Sequence, residues 1–281
     1  MSSPKTWPQP DITAMIKTYP AIMRPTMGRR WATIAFCVLA LSPLVLAWQM
    51  FGISWAQLVH GTSQLGQFVV LMFPPTPERF FWLFLHALGE TVAIAFLGTL
   101  GAAVIAVPFS FLAARNVMPF APVRFLVKRF FDTIRSIDTL IWALIWIGVV
   151  GLGPFAGVLA IMTSDFGAFG KLFTETFETA DEKPVEGIAA TGGGALASLR
   201  FALLPQIMPV IVGQILYFFE SNTRSATIIG VVGAGGIGLH LYEEIRTLEW
   251  QIVCFIVIMI LITVAIIDQI STRLRRAFIG N

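Results

Sequence analysis

Six predominantly apolar runs alternate with shorter polar segments along the chain: residues 31–51, 80–114, 137–150, 155–173, 209–230 and 250–270. About twenty apolar residues in a helix cross the hydrocarbon core of a bilayer. The pattern therefore predicts six transmembrane helices, the fourth less apolar than the others, with Pro108 kinking the second. Residues 52–79 follow a different rule. Leu58, Val59, Leu65, Phe68, Val69 and Met72 recur at helical spacing, and Pro74, Pro75 and Pro77 close the segment. This predicts an amphipathic helix on the outer membrane face. Residues 1–30 are polar and broken by five prolines, at 4, 8, 10, 20 and 25. They read as a cytoplasmic tail with a short interfacial helix near 12–19. Arg29 and Arg30 precede the first run, but that run is too long for a signal-peptide core and shows no clear cleavage site, so it is expected to be retained.

Composition agrees with this pattern. The chain has 281 residues, of which 56% are hydrophobic and 12% charged; an average soluble domain carries about 25% charged residues. The expected fold class is all-α, polytopic in the membrane. The net charge is +3 without a single basic patch, which argues against nucleic acid as a partner. Cys37 and Cys254 lie in apolar runs and read as buried thiols. His60, His86 and His240 are scattered, so no metal site is expected. The Lys and Arg residues of the tail, of 115–135, of 171–200 and of the C-terminus fall on one side if there are six spans. That side is the cytoplasm. The expected organisation is a cytoplasmic tail over 1–30, a first span with an extracytoplasmic segment over 31–79, and a core over 80–281. That core contains a cytoplasmic loop over 178–205.

Several polar residues stand where lipid makes them expensive. The fifth run carries Glu220, Ser221, Asn222, Arg224 and Ser225 near its middle. A charge at the bilayer centre costs roughly 2.5–3.5 kcal/mol on insertion scales. Glu220 and Arg224, four apart, share a helix face and can partly neutralise each other. Two roles fit this belt: the lining of a translocation pathway, in which Arg224 meets an anion, or an ion pair that fixes helix packing. Residues 233–238 read GAGGIG. A nucleotide site would need a flanking strand and a later acid; here a membrane span follows, so the glycines are assigned to an outer turn or to close helix contact. Asp132, Arg135 and Asp138, spaced by three, are expected to neutralise one another. Glu90 fits the outer interface or the bundle interior. Asp165 and Asp268 are expected to be solvated near span ends. No catalytic constellation and no Walker motif stands out, so the chain is expected to hold no cofactor and not to hydrolyse ATP itself.

The loop 186–205 reads EGIAATGGGALASLRFALLP. Glu186, Gly192 and Leu204-Pro205 resemble the "EAA" loop of ABC-importer permeases, with Gly187 and Ile188 where that family has Ala-Ala. Ala189, Ala190 and Gly192 are small enough for another backbone to come close. The resemblance implies that the loop forms a short cytoplasmic helix that docks in a cleft of an ATPase subunit and transmits its motion, with Glu186, Gly187, Ile188, Ala189, Ala190, Gly192 and Pro205 as coupling residues; an ordinary cytosolic loop with small residues is the other reading. Three further stretches, 90–116, 135–144 and 219–238, resemble the phosphonate ABC-transporter permeases, as does Met72-Phe-Pro-Pro75. Asp138 departs from that pattern, where Pro is frequent.

The resemblance implies a type I importer fold and a homodimer with a second permease copy. It also implies two ABC ATPase subunits, which bind ATP and Mg, and an extracytoplasmic phosphonate-binding protein. The expected cargo is phosphonate, with phosphite, hypophosphite or phosphate as relatives. Arg224 suits an oxyanion. Glu220 beside it would repel the same anion, and pairing across a dimer is one way to neutralise it. A stand-alone secondary transporter is the alternative; such folds often show internal repeats, and none is visible here.

Overall fold

A computed structural model of the protein describes residues 27–52 and 54–279; the interfacial helix expected near 12–19 lies outside them. Among the described residues every regular element is helical. The chain divides into two compact units, Met1–Phe68 and Val69–Asn281.

The first unit holds α1, Met27–Met50, and most of α2, Trp55–Leu71. Ser54 and Gln57 explain where α2 starts. The backbone N–H of Gln57 donates to Ser54 Oγ at 3.2 Å, and that of Ser54 donates to Gln57 Oε1 at 3.1 Å. This reciprocal capping box satisfies two donors that a helix start leaves free. Trp48 and Trp55 pack with ring centroids 5.9 Å apart. Cys37, expected to be buried, is exposed on α1; α1 has no fully buried face, as a helix meeting lipid requires none.

The second unit is a helix bundle. Its elements are α3, Phe81–Ala113; α4, Ala121–Arg135; α5, Thr139–Val150; and α6, Pro154–Glu178. Two short helices follow, α7, Lys183–Ala190, and α8, Ala195–Ser198, then a π-helical turn, Leu199–Leu203. The bundle is completed by α9, Leu204–Val231; α10, Ile237–Thr247; and α11, Trp250–Ile279.

α6 is the hub, packed against α3, α4, α5 and α9. Small residues make the close approach possible: Ala95, Ala160, Ala226 and Ala234 are fully buried with Ile94 and Ile161 in one cluster. A second cluster stacks Phe169, Phe173 and Phe177 on Ala102, Ala106 and Ile207. A third joins Phe84 to Ile237, Ile252 and Ile256. The outward residues of α3, such as Phe96, Leu97 and Val104, stay exposed and apolar, as a lipid-facing surface must.

Among the described residues five helices are long and apolar enough to cross a membrane, and α4 with α5 makes a sixth only as a broken pair bent by 88°. This revises the expected third span. α5 has 12 residues and is about 18 Å long, short of the roughly 30 Å hydrocarbon core. The stretch 115–135, expected to be a basic loop, is mostly the helix α4. Its apolar face buries Phe131 while its basic residues stay at the surface. Asp138 makes the break, since its side chain accepts from the Leu140 N–H at 2.8 Å and starts α5 afresh. The expected neutralisation within Asp132, Arg135 and Asp138 is therefore corrected. Asp138 is a helix cap, and Asp132 pairs with Arg129 at 3.4 Å and Lys171 at 3.6 Å.

Candidate functional site

Two structures stand out, an exposed elbow between α6 and α9 and a polar seam where α9 meets α3, α6 and α11. The elbow begins at Glu178, whose Oε1 accepts from Lys128 Nζ and from the Arg115 N–H, each at 2.9 Å. α7 then carries Glu186, Gly187, Ile188, Ala189 and Ala190, whereas Gly192 and Pro205, read with them as coupling residues, lie beyond its end. Glu186, Gly187, Ala189 and Ala190 are exposed, whereas Val185 and Ile188 turn inward and are half-buried. The helix thus offers one acidic, small-residue face and keeps its larger apolar side chains for the bundle.

Gly192 ends this helix. Its φ is +82°, a conformation that residues with a Cβ adopt at a cost. Its N–H donates to Ala189 O at 3.0 Å, and the next N–H, of Gly193, donates to Ile188 O at 3.0 Å. These two bonds form a Schellman motif, with Gly192 at the left-handed position. The sequence reading assigned Gly192 to close approach of another backbone; the structure adds this conformational reason. Pro205 sits in the first turn of α9 and is exposed, where its missing N–H leaves no bond unmade. Gln206, which sequence reasoning missed, closes the elbow. Its Oε1 accepts from the Asp181 N–H at 3.1 Å, and its Nε2 donates to Asp181 O at 3.3 Å and Ala202 O at 2.9 Å. Beneath the elbow lies a mainly apolar cavity of about 680 Å³, lined by Phe111, Val117, Val185, Leu196, Leu199 and Leu203 among others.

The seam has two faces. On one, Glu220 is bonded by Arg224 at 3.3 Å and by Arg275 of α11 at 3.2 Å. Ser221 and Ser225 are half-buried nearby on α9. Asn222 turns the other way and is buried. Its Nδ2 donates to Thr99 Oγ1 at 2.7 Å and to Asp165 Oδ2. So the five belt residues do not form one surface. Asp165 is corrected: it is 5% exposed and lies well inside the 25-residue α6, not solvated at a span end. Asp268 is exposed on α11.

Glu90 is half-buried and its alternatives resolve. Glu90 Oε1 accepts from the Gly236 N–H at 2.9 Å, and Thr91 Oγ1 accepts from the Ile237 N–H at 2.8 Å. These two residues of α3 cap the start of α10, whose first donors have no partner within the helix. The glycine motif is a turn with close helix contact, as read: a Cβ on Gly238 would stand 2.0 Å from Thr227 O.

Residues 106–279 match the family model of the binding-protein-dependent transport system inner membrane component. The chain belongs to this family. It is a permease, a transport subunit of the inner membrane that works with an ATPase and a binding protein, and the stand-alone transporter is set aside. Relatives extend over most of the chain. HtxC of Stutzerimonas stutzeri, named as a candidate phosphite transport system permease, is 37% identical over 89% of this chain and 88% of its own length. PtxC of the same organism, a phosphite transport system permease, is 32% identical over 88% of this chain and 90% of its own. PhnE of Mycolicibacterium smegmatis, a phosphate-import permease, is 35% identical over 86% of this chain and 43% of its own. In fold, the permease resembles a chain of the inward-facing MetNI methionine ABC transporter, with a TM-score of 0.62 at 21% identity, covering 72% of this chain and 99% of that one.

Proposed function

We propose that this permease carries phosphonates, or the related phosphite, hypophosphite or phosphate, into the cell by alternating access. One observation carries the reading: relatives matched over nearly nine-tenths of the chain bear the names of phosphite permeases. The seam supports it, since the Arg224 side chain is half exposed on α9, and guanidiniums make strong charge-assisted bonds to oxyanions.

The working unit is a homodimer of this chain with two ATPase subunits, which bind ATP and Mg, and an extracytoplasmic binding protein. Both termini and the elbow are cytoplasmic. The exposed face of α7, with Glu186, Gly187, Ala189 and Ala190, docks on the ATPase, and closure of the ATPase pair moves α6 and α9 through the elbow. Residues 52–79 lie on the outer face. Growth tests the cargo. A host lacking other phosphorus importers but expressing the whole system is grown on methylphosphonate, phosphite, hypophosphite or phosphate as the sole phosphorus source. Growth on at least one, lost when this chain is deleted, is expected; growth that never depends on the chain rejects the proposal.

A further inference from the structure

Glu220 stands between two guanidiniums from different helices. Its Oε1 accepts from Nη1 and Nη2 of Arg224, at 3.3 Å each, and its Oε2 accepts from Nη2 of Arg275 at 3.2 Å. The Glu220 side chain is 12% exposed, against 50% for Arg224 and 29% for Arg275. Among the described residues, two cations and one anion leave one excess positive charge in the trio. A pair meant only to fix packing needs one arginine; the second is surplus to neutralising Glu220. Each guanidinium has five N–H donors in a planar fork, and Glu220 occupies a minority of them. The remaining donors belong to the more exposed partners of the trio.

We infer that Arg275 joins Arg224 as the oxyanion station of the pathway, with Glu220 as the counter-ion they share while no cargo is bound. The inference rests on the proposed transport of phosphorus oxyanions and names the residues that would meet them. A tetrahedral phosphorus oxyanion presents two oxygens to one fork, the geometry in which arginine binds best. To enter, it must displace the Glu220 carboxylate from one arginine. That competition has a purpose, because a pathway site must bind strongly enough to admit its cargo and weakly enough to release it. Glu220 therefore lowers affinity and speeds release; the repulsion that seemed to oppose an anion site is part of its operation. Thr272, whose Oγ1 accepts from Arg275 Nη2 at 3.5 Å, steadies the second arginine.

The test uses the purified permease–ATPase complex without binding protein. Binding of radiolabelled phosphite, methylphosphonate and inorganic phosphate is measured directly. ATP-driven uptake of the same probes is measured in proteoliposomes with binding protein added. For the probe that wild type carries, Arg275→Ala is expected to weaken binding about tenfold or more, as loss of a charge-assisted bond does. Arg275→Lys should weaken it less, and Glu220→Gln should tighten it several-fold while uptake slows. Wild-type affinity in both Arg275→Lys and Glu220→Gln overturns the station even if Arg275→Ala fails to assemble. So does uptake by wild type without measurable binding to the complex. Uptake of none of the three probes by wild type rejects the phosphorus cargo itself, and the station with it, before any variant is compared.

Discussion

Asn222 shows how one side chain can hold three helices. It bonds Thr99 of α3 at 2.7 Å and Asp165 of α6, and all three residues are buried. With little water to replace a lost bond, removing the donor strands a buried carboxyl group. Asn222→Ala is expected to lower stability by about 1–3 kcal/mol, read as a lower Tm of the detergent-purified complex. Asp165→Asn keeps an acceptor for the Asn222 amide and should lower Tm less than Asp165→Ala. Equal Tm values for wild type and both alanine variants would show that the trio does not hold the bundle together. The sequence revealed part of this seam and not the rest, for a physical reason. Glu220 and Arg224 are neighbours by helical spacing, so their pairing was legible. Asp165 meets Asn222 across 57 positions and Arg275 meets Glu220 across 55, and neither separation leaves a local pattern. A lone acid in the least apolar run reads as solvated until a partner helix is placed over it.

Helices were read well where one period of hydrophobicity ran unbroken, as in α3, α6, α9 and α11, and poorly where charge masked it. α4 hid among basic residues because only one of its faces packs. The small residues of α7 mark its exposed face in the sequence, but they do not mark its end: size is the sequence reason for Gly192, while the structure uses its positive φ. That difference is testable. Gly192→Ala adds only a methyl group, and nothing lies within 4 Å of it, yet it strains the Schellman end by about 1–3 kcal/mol. It is expected to keep membrane insertion and ATP hydrolysis while lowering the transport achieved per ATP. Ala190→Arg, on the exposed face of α7, should do the same through docking. Unchanged coupling in both variants would remove α7 from the power stroke. At the other end of the bundle, Thr91→Val deletes the acceptor for the Ile237 N–H without changing shape. An orphaned helix-terminal donor costs about 1–3 kcal/mol when buried, so amide exchange at Ile237 should quicken; wild-type protection would show that Thr91 is not the cap.

At the scale of the whole molecule, the sidedness of the elbow decides whether a motor can reach it. The number and order of apolar helices follow from hydropathy, whereas the central position of α6 does not, since packing order leaves no trace in a run of apolar letters. The expected orientation rests on a separate feature, the distribution of Lys and Arg. Arg115, Lys128 and Glu178 are bonded together where α3 and α6 end and the elbow begins, so the basic stretch before α5 and the elbow lie on the same side of the bundle. The turn between α5 and α6, with Leu152 exposed, joins the opposite ends of those helices. In a background with Cys37 and Cys254 replaced, a cysteine at Leu196 or Glu186 should react with an impermeant maleimide only in inside-out vesicles. A cysteine at Leu152 should react only in right-side-out vesicles. Labelling of Leu196 or Glu186 from outside would place the elbow where no ATP-driven subunit could grip it, and the transport mechanism proposed for this chain would fail with it.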